Sequence, residues 1–149
     1  MACILTENDI KWMTEKHPKM LYYAKYKALA GEFSFSAQYK DNERIDDHYK
    51  IAIFSDYPPD SPLPAIFEID CRIKRMSHIL GIDISDLHVN YDDSLCIIRP
   101  DKFKLWYPNG FSIKVFERNL VSHFYWLSYR ERYGIEPWEG EQHGGQYNW

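Results

Sequence analysis

The alternation of apolar and polar residues between Leu29 and Tyr39 is the feature that most constrains the fold. A repeat of two residues places successive side chains on opposite faces of a β-strand, so one face is predicted to be buried and the other solvated. Asp41–Arg44 reads as a turn, and Asp47–Phe54 places apolar residues on a single face again. We therefore predict an antiparallel hairpin. Its apolar positions are Leu29, Phe33, Phe35, Ala37 and Tyr39 in the first strand and Tyr49, Ile51 and Ile53 in the second.

A long amphipathic helix is predicted over Ser112–Tyr133. Its apolar residues recur at intervals of three or four, which is the spacing of one helix face. Asn109 or Ser112 can cap the start, and Gly134 suits the left-handed position after the end. Because a sheet with one apolar face needs a cover, we expect this helix to face the core and pack on the hairpin. The apolar stripe consists of Ile113, Phe116, Leu120, Phe124 and Leu127.

A short helix is predicted over Thr6–Lys16. Thr6 and Asp9 have the spacing of a capping pair, and Pro18 stops the helix. The next segment, Lys19–Lys27, fits either a second helical turn or the approach to a strand, and the sequence leaves both open.

The connection Tyr57–Pro64 holds four prolines in eight residues, which predicts a rigid extended segment. A third strand is predicted at Ala65–Ile69. Cys71–Asp86 and Arg99–Asn109 show little pattern, so no firm element is predicted in either. A helical turn in the first of them could be lined by Ile73, Met76, Ile79 and Leu80.

Together these elements predict one α+β domain over residues 1–149, an antiparallel β-meander packed against a long helix, with an N-terminal helix. The tail Ile135–Trp149 carries two tryptophans, and we expect at least Trp138 to be docked.

Composition narrows the classes of partner. The net charge is −4 and the basic residues are scattered, so no nucleic-acid partner is expected. Three widely spaced cysteines, Cys3, Cys71 and Cys96, argue against a disulfide framework and against a metal site, and no cofactor is expected. Neither a signal peptide nor a membrane-spanning run is visible, which predicts a cytoplasmic chain without a membrane partner.

Cys96 stands at the end of a short polar loop within Leu87–Pro100. The loop is expected to be exposed, whereas Leu95 and Ile97 are expected to anchor it in the core. A thiol held in this way is suited to nucleophilic chemistry, so we predict that it is at least partly reachable by solvent. Judged from this stretch alone, such a cysteine is more often a small buried core residue than a nucleophile.

The ordered elements resemble the ubiquitin-conjugating-enzyme fold over most of Leu29–Tyr133. Four features follow one another in that family's order: the opening meander, the Tyr57-Pro58 connection, the cysteine at position 96 and the helix from Ser112. The details are similar to bacterial ubiquitin-conjugating-like enzymes encoded in anti-phage operons, which include cyclic-oligonucleotide signalling systems and ubiquitin-like conjugation systems. The matching residues are Asp47, Tyr49, Ile51, His88, Val89, Asn90, Asp92, Ser94, Leu95 and Cys96. Asp93 stands where eukaryotic members have glycine, and Val89 where they have proline.

The resemblance implies acyl transfer through a cysteine thioester. Cys96 would be the nucleophile, His88 the first choice for tuning the thiol or orienting the loop, and Asn90 the second. Asp92 and Asp93 would be ordinary turn residues or would orient an incoming lysine. The partner would be a protein with a C-terminal glycine, either a ubiquitin-like protein or a nucleotidyltransferase. Either a separate activating enzyme would supply the activated donor, or the chain end of the partner would already be reactive.

Two other classes of function also fit the sequence. The fold also occurs as non-catalytic modules that bind ubiquitin-like proteins, and an unrelated α+β adaptor with an aromatic binding face fits the composition. Gly144-Gly145 does not make the chain its own donor, because four further residues follow the pair.

Overall fold

The computed structural model describes residues 1–138 of the chain and shows an α+β arrangement. The helices are α1 (Glu7–Lys16), α2 (Arg72–Leu80), α3 (Phe103–Trp106) and α4 (Ile113–Tyr133), and the strands are β1 (Met20–Tyr23), β2 (Ala28–Ala37), β3 (Ile45–Phe54) and β4 (Ala65–Glu68). Short 3₁₀ turns lie at Ala24–Tyr26, Ile84–Leu87 and Pro100–Lys102.

The four strands form an antiparallel meander in the order β1-β2-β3-β4. The predicted hairpin is confirmed, with Phe33 opposite Tyr49, and so is the third predicted strand, which is β4. The ambiguous segment Lys19–Lys27 forms β1 and a 3₁₀ turn. Gly31 permits the close approach of β1, because its φ is 140° and a Cβ atom there would collide with the carbonyl oxygen of Lys19.

Helix α4 covers one face of the sheet, as the apolar stripe predicts. The Phe124 ring stacks on Tyr49 with a centroid distance of 4.4 Å and lies 5.7 Å from Phe33. The hydroxyls of Tyr49 and Ser128 share a hydrogen bond of 2.8 Å within this interface. The central part of α4 is therefore surrounded by protein.

Helix α1 begins where the capping pair predicts. The Thr6 hydroxyl accepts a hydrogen bond from the Asp9 backbone N–H, and the Asp9 carboxylate accepts one from the Thr6 N–H, both at 3.0 Å. At the other end of α1, His17 and Lys16 contact the buried carboxylate of Glu117 on α4 at 3.0 and 3.3 Å. These contacts fasten α1 to α4.

Two helices lie in segments where the sequence predicted no firm element. Helix α2 occupies part of Cys71–Asp86, and α3 lies within Arg99–Asn109. Cys71, at the N-terminus of α2, has a left-handed backbone and makes no capping bond, so the usual start signal is missing. The Ile73 N–H is satisfied instead by the carboxylate of Glu68, at 2.9 Å.

Trp138 is docked, as expected, and is only 9% exposed. Its ring contacts Tyr39 at 4.5 Å and Tyr125 at 5.9 Å. The rest of the predicted tail, 139–149 with Gly144-Gly145, lies outside the described residues. Within residues 1–138, no helix is both long enough and apolar enough to cross a membrane.

Candidate functional site

The segment from His88 to Cys96 folds as a small hairpin at the edge of the sheet. The Cys96 N–H donates to the His88 carbonyl at 2.8 Å, and the Asn90 N–H donates to the Ser94 carbonyl at 2.7 Å. The Leu95 N–H donates to the carbonyl of Ile66 on β4, also at 2.8 Å. The hairpin is thus held to itself and to the edge strand, which fixes the position of Cys96.

Side chains at the hairpin tip form a second set of hydrogen bonds around Ser94. Its hydroxyl and its backbone N–H both donate to Oδ1 of Asp92, at 2.5 and 3.0 Å. The Asn90 amide donates to the Ser94 hydroxyl at 3.1 Å. The bonds from Ser94 hold the pKa of the Asp92 carboxyl below its usual value, so this group is ionised at neutral pH.

Cys96 and Asn90 line a cleft of about 240 Å³ between the hairpin and the proline-rich connection. The wall on the hairpin side also carries Asp92 and Ser94, and Phe116 of α4 contributes as well. The remaining lining residues are Pro58, Ser61, Pro62, Leu63, Pro64, Ala65, Leu95, Ile97, Ile98, Pro100 and Phe103. The cleft is mainly apolar with a few polar groups, which is the character of a binding site.

The thiol of Cys96 is less accessible than the sequence predicts. The polar loop is exposed as expected from Asn90 to Asp93, but Cys96 itself is 7% exposed. Its sulfur donates a weak hydrogen bond to the Ile98 carbonyl at 3.5 Å. At this exposure the prediction that the thiol is at least partly reachable by solvent is wrong for the free chain. Burial also raises the pKa of the thiol to about 11.

The His88 side chain is directed towards helix α4. His88 has a left-handed backbone with φ 62° and is 7% exposed. Its ring lies 4.7 Å from the Trp126 ring and 6.1 Å from the His123 ring, centroid to centroid. The structure therefore brings Cys96 and Asn90 to one cleft. His88 is joined to Cys96 by a backbone hydrogen bond, and its ring packs against Trp126 of α4.

His123 is a buried residue that sequence reasoning missed. Burial, together with the neighbouring His88, lowers the pKa of His123 to about 3, so its ring is neutral. Within residues 1–138, its Nε2 atom has no hydrogen-bond partner. The only sequence signal was a histidine beside the apolar stripe of α4, which does not distinguish a core position from a site.

The cysteines do not form a shared site. All three are free thiols, with Cys3 and Cys96 buried and Cys71 exposed. Among the described residues, no group of three or more His, Cys, Asp or Glu side chains is arranged to hold a metal ion.

Comparison of the chain with family models, with curated proteins and with solved structures gives no match.

Proposed function

We propose that this protein is a ubiquitin-conjugating-like acyl carrier. It accepts the C-terminal glycine of a partner protein as a thioester on Cys96 and transfers the acyl group to an amine. The observation that carries the proposal is the cleft in which the Cys96 thiol and the Asn90 amide occur together. A cysteine nucleophile needs such a neighbouring hydrogen-bond donor for the oxyanion that forms during acyl transfer.

The order of elements adds support for a ubiquitin-conjugating-like fold. Helix α1, the four-stranded meander, the proline-rich connection, the cysteine loop and the covering helix α4 follow one another as in that family. Helix α2 stands between β4 and the loop. The cellular setting that we propose is anti-phage defence in the bacterial cytoplasm, on the resemblance of the segment from His88 to Cys96.

Three residues act in the charging step, namely Cys96, Asn90 and His88. The thiolate of Cys96 attacks the activated glycine carbonyl, the leaving group of the donor departs, and the carbon–sulfur bond of the thioester forms. The Asn90 amide has two N–H bonds, of which one is used on Ser94, so the other can stabilise the oxyanion. His88 keeps the hairpin in place through its contact with α4.

Burial of Cys96 sets a condition on this function. With a pKa raised to about 11, the thiol of the free chain is almost fully protonated at neutral pH. We expect attack only once a donor chain end occupies the cleft and displaces the bond from the sulfur to the Ile98 carbonyl. The donor is proposed to be a ubiquitin-like protein or a nucleotidyltransferase, activated by a separate enzyme.

A second candidate function is a non-catalytic binding module. The observation that favours it is the same burial of Cys96, since a thiol that never becomes reachable would only help to line the cleft. In that case the cleft would hold a protein chain end without forming a covalent bond.

Charging with a synthetic donor tests the proposal. A peptide ending in a glycine thioester is incubated with the Cys71→Ser variant, because exposed Cys71 would exchange with the donor without specificity. Intact-mass and peptide mass spectrometry then locate the acyl group. We expect it on Cys96 and not on buried Cys3, and we expect Asn90→Ala to slow charging by about 100-fold, as for other oxyanion donors.

The Cys96→Ala change provides the control for this reaction. It should remove the adduct and leave thermal unfolding close to that of the parent. If the peptide binds to the cleft, by chemical-shift changes of its lining residues, while Cys96 stays unmodified, the binding-module function is favoured instead.

A further inference from the structure

Ser94 is a buried polar residue of the hairpin that the charging step does not use. It is 8% exposed and lines the cleft together with Asn90 and Cys96. Its hydroxyl donates to Oδ1 of Asp92 at 2.5 Å and accepts from the Asn90 amide at 3.1 Å. Backbone bonds join the same residues, since the Ser94 N–H donates to Asp92 and the Ser94 carbonyl accepts from the Asn90 N–H. The hydroxyl of Ser94 therefore links the amide of Asn90 to a carboxylate.

The chemistry of these groups fixes the direction of the two side-chain bonds. A hydroxyl has one proton to donate, and an ionised carboxylate can only accept. Asp92 is ionised at neutral pH because the bonds from Ser94 lower its pKa. The proton of Ser94 is thus committed to Asp92, and its Oγ atom is left to accept from Asn90. If the Asn90 amide were flipped, its oxygen would face this Oγ atom with no proton between the two.

We propose that Ser94 is a positioning residue for acyl transfer, whose hydroxyl, committed to Asp92, keeps the nitrogen of the Asn90 amide on its own side. Both N–H bonds of an amide leave from the nitrogen, so the one that is not used on Ser94 stays on that side too. An amide oxygen in this place would repel the oxyanion that forms at the thioester carbon, whereas an N–H stabilises it. The inference rests on the oxyanion role of Asn90 in the proposed function, and it adds a residue that touches none of the reacting atoms.

A second Asp-x-Ser turn supplies a matched control. The hydroxyl and the backbone N–H of Ser85 donate to Oδ1 of Asp83, at 2.8 and 2.9 Å. This turn does not line the cleft, and among residues 1–138 no asparagine is bonded to the Ser85 hydroxyl. Ser85→Ala and Ser94→Ala therefore each remove a hydroxyl that is bonded to an aspartate two residues earlier, but only the second change releases an asparagine amide.

Two reagents separate the positioning of Asn90 from mere support of the hairpin. With p-nitrophenyl acetate, the Cys96 thiolate attacks the acetyl carbonyl through an oxyanion, p-nitrophenolate leaves, and a thioester forms. With iodoacetamide, the same thiolate displaces iodide, and no oxyanion forms. Peptide mass spectrometry gives both rates at Cys96 in the Cys71→Ser background. The ratio of acetylation to alkylation cancels changes in the accessibility and the pKa of the thiol.

We expect Ser94→Ala to lower this ratio by about tenfold and Asn90→Ala to lower it by about 100-fold. Ser85→Ala should leave the ratio within about twofold of the parent's. In the Asn90→Ala background, Ser94→Ala should have no further effect, because the amide that it positions is absent. An unchanged ratio in Ser94→Ala would overturn the proposal, and so would a further loss in the double variant.

Asp92→Asn tests the direction of the bonds without altering a buried side chain. An amide at this position can donate to Ser94, so the hydroxyl becomes free to donate to the Asn90 oxygen and the Asn90 amide can flip. We expect the ratio of acetylation to alkylation to fall by about threefold or more. The control Asp83→Asn should leave it within about twofold. An unchanged ratio in Asp92→Asn would overturn the part of the proposal that concerns the carboxylate.

The acetyl ester needs no partner protein, which separates this inference from the proposed function. The expected ratios together with a failure of the glycine thioester peptide to charge Cys96 would contradict conjugation and leave the role of Ser94 in place. Charging of the parent by that peptide together with an unchanged ratio in Ser94→Ala would overturn this inference alone.

Discussion

The three cysteines show how strongly the surroundings decide the chemistry of one residue type. Burial raises the pKa of Cys3 to about 12 and that of Cys96 to about 11, whereas Cys71 is exposed at the start of α2. Only Cys96 lines the cleft. Cys96 therefore lines a cleft and is still mostly protonated in the free chain at neutral pH.

Alkylation of the free chain should follow this order. At pH 8 a thiol with a pKa of about 11 holds about 0.1% thiolate, so iodoacetamide should modify Cys71 first and Cys96 much more slowly. The rate at Cys96 should rise about tenfold for each pH unit up to about pH 10. Peptide mass spectrometry over time gives both rates. Faster modification of Cys96 than of Cys71 would mean that the thiol opens readily to solvent.

We expect the protein to lose stability in mild acid because the buried ring of His123 has a lowered pKa. Its pKa is about 3 in the folded chain and near its ordinary 6.5 when unfolded, so below pH 6.5 the unfolded chain binds the extra proton. Stability should fall by about 2 kcal/mol between pH 6.5 and pH 5. Asp47 and Glu117 have lowered pKa values and lose their stabilising contribution only at lower pH.

Urea unfolding of the parent and of His123→Phe at pH 7 and pH 5 measures this effect. The variant should lose clearly less stability than the parent on acidification. The same loss in both proteins would show that His123 is not the group responsible.

The sequence predicted which residues lie near Cys96 better than it predicted where their side chains are directed. Asn90 and Cys96 line the same cleft because they are only six positions apart in a tight hairpin, and that proximity is local. The His88 ring is directed by Trp126 on α4, which lies far along the chain. Phe116 of α4 lines the same cleft as Cys96 and is also distant from it in sequence, so periodicity and spacing could not reveal these surroundings.

At the scale of elements, local signals explain which ones could be predicted. Helices α1 and α4 and strands β2 and β3 carry regular apolar spacing, and both helices have side-chain caps at their starts. Helix α2 has no side-chain cap, and its position depends on contacts with β3 and α4. Those contacts are made by residues 24 to 59 positions away, which no local pattern can show.

Arg72 makes these contacts at the first position of α2. Its guanidinium binds Asp47 on β3 at 2.7 Å and Glu131 on α4 at 2.7 Å, and it lies 4.2 Å from the centre of the Tyr49 ring. The Ser128 hydroxyl also donates to Asp47, at 2.7 Å. One side chain thus joins three elements.

Replacing Arg72 by alanine should cost about 2 kcal/mol, since it leaves the half-buried carboxylate of Asp47 without its charged partner. The matched control is Arg99→Ala, which breaks the more exposed pair with Asp101 and should cost about 0.5 kcal/mol or less. Chemical unfolding of both variants gives the comparison. Equal and small losses would mean that α2 is held mainly by its apolar face.

At the scale of the whole molecule, the cleft is assembled from parts that are distant in sequence. Its wall has three parts, which come from the proline-rich connection, the hairpin from His88 to Cys96 and the start of α4. Strand β4 joins the first two, since it follows the connection directly and binds the hairpin through the Ile66 carbonyl. The fold therefore places a mainly apolar cleft beside Cys96, and this placement is the basis of the proposed acyl transfer.

The most direct measurement is the covalent state of Cys96 in cells that express this chain together with the proteins encoded beside it. Non-reducing gels and mass spectrometry should show Cys96 joined to the C-terminal glycine of one of those proteins. The adduct should disappear with thiol reductant and in Cys96→Ala, and Cys96→Ser should give an adduct that resists reductant. A Cys96 that remains free with every neighbouring protein, including any activating enzyme, would contradict the thioester function.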